Sequence, residues 1–424
     1  MTTALRRLSL FQPLRDRGFR MVWIGETVSM FGDQFYLVAL PWLALALTGS
    51  SLALGLVLMA AAVPRAALML VGGALSDRYD PRAIMVASSA ARAVLVGVLA
   101  LLVWTDAIQL WHLYLLGAGF GAADAFFQPA ALALVPRLVP EDRLEASNAL
   151  VMGSMAVMGM VGPAIAGVAI AATGTALGFG IDAATFTFAV VTLLFVRRPA
   201  VTAVPAGTSG AGGTFSAILA GLRYASADPQ IRIVLAAVAV INLAVVGPFF
   251  VGLPVLVDRF NSGPMAYGIV LSAFGGAALA GAVVAGTLGA RVRMSLAIPA
   301  TAIGLAIGMV LIGLAPNVWA ATLASVPLGV GVGVLQVSGM AWLQRRSDPE
   351  YLGRVMSLVM FAVMGLTPLS YAIAGAVAES GTAILFVGSG LGMVLLAVAT
   401  GLAPAWRTDA PADPAAARSI GLAT

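Results

Sequence analysis

The 424-residue chain contains no cysteine and no lysine, and its single histidine is His112. Without cysteine there are no disulfides or thiolate metal sites, and one imidazole cannot build a zinc cluster, so no metal or other cofactor is implied. Charge is scarce as well: Asp, Glu, Lys and Arg make up only 10% of the residues, where an average soluble domain carries about a quarter. The chain is instead 61% hydrophobic, with a mean hydropathy of +1.01. So little charge cannot coat a water-soluble globule of this length. Soluble-enzyme and nucleic-acid-binding readings therefore drop out, despite a pI of 10.1. The composition is that of a protein dissolved in lipid.

Crossing the hydrocarbon core takes roughly 20 apolar residues per helix. Apolar runs cut at charges and turn residues predict twelve spans, at 19–47, 53–76, 82–104, 109–136, 146–172, 175–196, 231–257, 266–289, 294–315, 317–343, 353–378 and 382–405. The expected fold is all-α, a membrane protein of two six-helix bundles at 19–196 and 231–405, with tails at 1–18 and 406–424. The segment 197–230 between them holds Pro199, Pro205 and the run Gly-Thr-Ser-Gly-Ala-Gly-Gly at 207–213, and reads as a flexible linker with a short surface helix near 218–224. An even number of spans puts both termini on one side. With that side cytoplasmic, 20 of the 23 Arg lie on inner segments, Arg259 lies outside, and Arg65 and Arg92 lie within spans, as the positive-inside rule requires. The Arg-rich first 20 residues, with no cleavage pattern after the first apolar run, read as a retained cytoplasmic tail and not a signal peptide. All seven Trp fall near span ends, where an indole suits the headgroup level. The expected location is the cytoplasmic membrane, multi-pass, with lipid as the surrounding partner.

The two halves repeat each other. Leu40-Pro41 and Ala53-Leu54-Gly55-Leu56-Val57-Leu58 recur as Leu253-Pro254 and Ala266-Tyr267-Gly268-Ile269-Val270-Leu271, both at an offset of 213. Val157-Met158-Gly159 and Pro163 return as Val363-Met364-Gly365 and Pro368, and Gly117, Gly119 and Gly121 return as Gly329, Gly331 and Gly333. The order is the same in both halves, which is a parallel repeat of six spans, one of the ways alternating-access transporters are built.

Several motifs resemble those of the major facilitator superfamily, over nearly the whole chain. Gly73-Ala74-Leu75-Ser76-Asp77-Arg78-Tyr79-Asp80-Pro81-Arg82 is similar to the family's signature loop between spans two and three, departing from it at Asp80 and Pro81. The resemblance makes Gly73, Asp77, Arg78 and Arg82, with Arg354 at the start of span eleven, an inner gate. In this reading glycine permits close helix approach and Asp77 sits at a helix N-terminus. The second half has Ala290 where the loop's Asp would be. Gly159, Gly162, Pro163 and Gly167 resemble the Gly-Pro motif of the family's antiporters; small residues four apart let backbones approach, and Pro163 frees a carbonyl. In span four, Leu115 replaces the Arg of a related motif that ends in Gly119-Phe120-Gly121. Gly32-Asp33, Leu40-Pro41-Trp42, Pro64-Arg65, Arg92-Ala93 and Phe127-Gln128-Pro129-Ala130 are similar to a drug and proton antiporter branch. That branch includes macrolide, tetracycline and siderophore exporters and a lysophospholipid transporter.

Six ionisable residues fall inside spans: Glu26, Asp33, Arg65, Arg92, Asp124 and Asp182, all in the first half. Each costs roughly 2.5–3.5 kcal/mol at a helix centre on insertion scales, so they must face one another or water. Four acids against two bases leave two carboxylates over, and a carboxylate desolvated without a partner takes up a proton near neutrality. Glu26 and Asp33 are two turns apart on one face of span one. Asp33, then Glu26 and Asp124, are the candidate proton carriers, with Arg65 as their partner, while Arg92 and Asp182 are read as a structural ion pair. Asn242 and Phe249 on span seven, Gln336 on span ten and Tyr371 on span eleven are candidate lining residues of the second-half cavity. The function expected is proton-coupled efflux of small amphipathic, drug-like compounds by a monomer working through alternating access. A lipid, siderophore or metabolite carrier, an importer, or a sensor that keeps the fold without transport are the alternatives, and a membrane enzyme is not expected.

Overall fold

A computed structural model describes residues 10–197, 224, 227–289 and 292–407, apart from the side chains of Leu70, Asp77, Pro349 and Glu350. Among the described residues there are no strands, and twelve helices are long and apolar enough to cross a membrane. They are α1 Arg17–Thr48, α2 Ser51–Arg78, α3 Pro81–Trp104, α4 Leu110–Leu134, α5 Leu144–Thr173 and α6 Thr175–Leu194. The rest are α7 Pro229–Arg259, α8 Gly263–Leu288, α9 Met294–Gly313, α10 Val318–Arg346, α11 Tyr351–Ser380 and α12 Thr382–Gly401. Every predicted span corresponds to one of these helices. The surface helix read at 218–224, most of the linker, both tail extremities and Ala290 lie outside the described residues or at their edge.

The helix ends follow from local chemistry. Ser50 accepts from the Ala53 amide at the start of α2, and Asn317 accepts from Ala320 at the start of α10, which supplies partners for otherwise orphaned amides. Asp80 accepts from the Arg82 amide, and Pro81 occupies the first position of α3. The departure from the family's loop pattern is therefore a well-formed N-cap followed by proline where proline is tolerated. Gly49 closes α1 at φ +64°, a left-handed conformation that glycine adopts without strain. Two helices are not regular. α7 widens into π turns at Asn242–Val246 and Pro248–Gly252, and α11 does so at Phe361–Gly365.

The chain packs as two compact units. The described residues of Met1–Val201 with Leu253–Gly276 form the first, and those of Thr202–Gly252 with Ala277–Thr424 form the second. In the first, α1 packs between α5 and α6, α3 packs between α4 and α6, and α2 lies along α4. In the second, α9 packs between α10 and α12, and the π turn Pro248–Gly252 of α7 packs on α11 and α12.

The sequence repeat reappears as repeated packing. A Cβ on Gly121 of α4 would collide with the Ala61 carbonyl of α2, and a Cβ on Gly333 of α10 would collide with the Ala278 carbonyl of α8. Asp16, the N-cap of α1, pairs with Arg143 at the start of α5 at 2.9 Å, and Asp228, the N-cap of α7, pairs with Arg346 at the end of α10 at 2.9 Å. In each unit the acid that begins the first span is tied to an arginine flanking the connection between the fourth and fifth.

Candidate functional site

Five of the six intramembrane charges form one layer of the first unit. Asp33, Arg65, Arg92, Asp124 and Asp182 each lie within about three residues of the middle of their helix, and Glu26 lies two turns away on α1. Arg65 Nε contacts Asp124 Oδ2 at 3.0 Å, and Arg92 Nη1 donates to Asp124 Oδ1 at 3.2 Å. Both bases therefore converge on one acid. The Arg92 guanidinium stands 4.4 Å from the ring centres of both Phe127 and Phe186, a double cation–π contact that fixes its position. Arg92 Nη2 also reaches the Ser89 hydroxyl at 3.5 Å.

This arrangement corrects the expected Arg92–Asp182 ion pair: Arg92 pairs with Asp124. The reason is geometric, because α3 lies between α4 and α6 and the two phenyl rings aim its guanidinium at α4. Asp182 is fully buried, and neither of its carboxylate oxygens has a hydrogen-bond partner. The Thr185 hydroxyl donates to the Asp182 backbone carbonyl at 2.8 Å and holds the turn below it. Asp124, expected among the proton carriers, is instead the acid with two arginine partners. Glu26, which is buried, Asp33, which is half-buried, and Asp182 have no ion pair among the described residues. Three acids are left over where the count of charges gives two, since a shared carboxylate consumes both bases.

Sequence reasoning missed the features that seat these acids. Gly32 packs against Asp182 and Thr185, and Gly25 packs against Thr192. The signal was present as two glycines seven apart on α1 facing two threonines seven apart on α6, a small-residue seam between helices. Tyr36 stacks on Phe120 with ring centres 4.6 Å apart, next to the same layer.

The loop residues divide in their roles. Gly73 does not mediate the close approach expected of it, since nothing lies within 4 Å of a Cβ built there; its neighbour Gly72 does, meeting the Ala125 carbonyl at 2.6 Å. The α2–α4 contact passes through Ala61 and Gly72, eleven residues and about three turns apart, and Gly73 is turned one residue away from it. Arg82 donates from Nε to the Leu193 carbonyl at 2.7 Å and from Nη2 to the Leu194 carbonyl at 2.8 Å, which caps the end of α6. Arg78 is exposed, and Arg354 lies over the Tyr351 ring at 5.0 Å, itself stacked on Tyr224. The Asp77 side chain is outside the described ones.

The glycine motif of α5 meets α8 within the first unit. A Cβ on Gly167 would stand 2.7 Å from the Pro264 carbonyl, a Cβ on Gly268 would collide with the Pro163 carbonyl, and one on Gly275 would collide with that of Gly159. Ser272 accepts from the Ala164 amide at 2.9 Å. Gly162 faces the other way, toward Gln34 of α1.

Of the second-half candidates, Asn242 is buried and donates to the Val363 carbonyl at 2.9 Å, which joins the π turns of α7 and α11. Phe249 is only 1% exposed and sits edge-on to Phe250. Both side chains are packed within the second unit, Asn242 against α11 and Phe249 on the π turn that meets α11 and α12. Gln336 is exposed and Tyr371 is half-buried.

A sequence profile described as transmembrane secretion effector matches residues 8–418. Macrolide efflux protein A of Streptococcus pyogenes is 26% identical over 359 residues, covering 80% of this chain and 84% of that protein. The multidrug efflux pump Tap of Mycolicibacterium fortuitum is 26% identical over 389 residues, covering 89% and 93%. Among solved structures, a bacterial homologue of the iron transporter ferroportin in an inward-facing state superposes with a TM-score of 0.72 at 15% identity, covering 91% of this chain and 99% of that one. A bacterial homologue of the human lysosomal transporter Spinster gives 0.71 at 15% identity, covering 93% and 98%; at such identity these two speak for the fold alone. The chain belongs to the transmembrane secretion effector family of the major facilitator superfamily, and it is a multi-pass transporter of the cell membrane, not an enzyme.

Proposed function

We propose that this protein exports small amphipathic, drug-like compounds in exchange for protons. Relatives named as macrolide and multidrug efflux pumps support the substrate class and the direction. The observation that carries proton coupling is the mid-membrane layer itself, in which one acid takes both arginines and Glu26, Asp33 and Asp182 are left without an ion pair among the described residues. A carboxylate in that position is costly as a bare ion, so it is suited to exchange a proton. Asp33 is the first carrier, since it is half-buried and lies at the middle of α1, and Glu26 is the second.

In this reading the bundles 19–196 and 231–405, joined by the linker 197–230, alternate access to the two sides as a monomer, with both termini in the cytoplasm. Asp77, Arg78 and Arg354 act at the inner gate. Gln336 and Tyr371 line the path on the second half. Reconstitution into proteoliposomes tests the coupling. Asp33→Asn is expected to abolish substrate flux driven by a pH gradient while the purified variant keeps the wild-type melting temperature. Wild-type flux in that variant removes Asp33 from the mechanism.

A further inference from the structure

We propose that Arg65 receives a negatively charged head group of the transported molecule, so that the substrates include amphiphiles bearing a carboxylate or phosphate on an apolar body. The proposal rests on the transport reading above and names a substrate class for it. Four observations lead to it.

The first is the balance of charge. Asp124 is already met by Arg92, which is locked between two phenyl rings and has a side chain only 4% exposed. The charge on Arg65 is surplus to that pair. Glu26, Asp33 and Asp182, the other acids inside the spans of the first unit, make no ion pair with it among the described residues.

The second is access. The Arg65 side chain is 42% exposed, against 13% for Asp124. The third is direction. Along α2, Ala61 meets Gly121 and Gly72 meets Ala125 and Phe126, so the side of α2 that carries residues 61, 65 and 72 is turned toward α4. The exposed residues Val63, Ala67 and Val71 form an apolar stripe on the opposite side. The open edge of Arg65 is therefore not on the stripe suited to hydrocarbon. An arginine at mid-membrane depth that is open on the protein-facing side of its helix faces water.

The fourth is the edge presented. Asp124 is contacted through Nε, and the terminal amino groups of Arg65 have no hydrogen bond among the described residues. That terminal fork is the part of a guanidinium that binds a carboxylate or phosphate in two-point fashion.

The test is binding, measured apart from transport. Protein in a neutral detergent is titrated with a dansyl-labelled undecanoic acid and with the dansyl-labelled amine of the same length, following probe fluorescence, with thermal unfolding of every variant recorded alongside. Losing one charge-assisted contact, Arg65→Gln is expected to weaken the acid probe by at least about tenfold and to leave the amine probe within about twofold. Arg65→Lys is expected to restore part of the affinity. Equal binding of the acid probe by wild type and Arg65→Gln, or parallel loss of both probes, overturns the proposal. The unmodified protein gives a second measurement that needs no variant. Excess dodecyl phosphate is expected to displace the acid probe where dodecyltrimethylammonium does not, and the reverse order overturns the assignment. Displacement by lysophosphatidylglycerol as well as by dodecyl phosphate identifies a lipid head group as the natural source, and displacement by dodecyl phosphate alone identifies a free amphiphile. Arg65-dependent binding in a protein that moves nothing in proteoliposomes supports the site and refutes the transport reading.

Discussion

Asp182 on α6 lies so close to Gly32 on α1 that a methyl group at residue 32 would stand 2.7 Å from its Oδ1 and would collide with the Thr185 hydroxyl. Neither atom is the mobile tip of a long side chain, so the helices themselves would have to part. Gly32→Ala is expected to cost about 1–3 kcal/mol, the usual range for overpacking. The check is the midpoint of thermal unfolding in detergent. Gly73→Ala, where a Cβ meets nothing within 4 Å inside a regular helix, is expected to leave that midpoint the same or slightly higher.

Asp124 is the keystone of two cations. Asp124→Asn leaves Arg92 buried without a counter-charge, a change that typically costs about 3–5 kcal/mol. Arg65→Gln alone is expected to cost much less, since that side chain is 42% exposed and its partner keeps Arg92. The double-mutant cycle on thermal stability should give a coupling between Asp124 and Arg92 larger than that between Asp124 and Arg65. Equal couplings would show that Arg65 is held as tightly as Arg92.

The two repeated pairs at the helix starts differ in strength. Asp16 and Arg143 are each 29% exposed, and Asp16 makes no capping hydrogen bond, so Asp16→Ala is expected to cost at most about 1 kcal/mol. Asp228 is 1% exposed, accepts from the Gln230 and Ile231 amides and also holds Arg346. Asp228→Ala loses a cap and one charge-assisted contact of Arg346, and is expected to cost at least about 2 kcal/mol. Chemical denaturation in mixed micelles ranks the two.

Ser272 supplies a side-chain acceptor in the contact between α5 and α8, for the Ala164 amide. Ser272→Ala is expected to cost about 0.5–1.5 kcal/mol, the usual worth of one hydrogen bond. Hydrogen exchange at Ala164 should quicken in the variant, while exchange in α3 and α4 stays at the wild-type rate.

Span positions and the layer of charges were readable from the chain because both are properties of single helices. Twenty apolar residues and a cluster of Arg report themselves locally. The pairing inside the layer was not readable, because a sequence says which face of α3 carries Arg92 but not that Phe127 and Phe186 turn it toward Asp124. The choice of Gly72 over Gly73 at the α2–α4 contact is a matter of about 100° of helical rotation, beyond what a motif specifies. The packing of Phe249 was not readable for a related reason: each π turn in α7 takes up extra chain and rotates the residues after it off the face that regular periodicity assigns. The three acids without an ion pair follow from a shared carboxylate, an outcome that no count of charges contains.

The meeting of α5 and α8 is made from backbone, with Gly159, Pro163 and Gly167 set against Pro264, Gly268 and Gly275. Where most helix contacts are locked by interdigitated side chains, little here must change rotamer for one helix to slip along or roll over the other, so motion at this line loses little side-chain entropy. Such a contact behaves as a smooth bearing surface. Ser272 is its detent, a hydrogen bond that favours one register without preventing another.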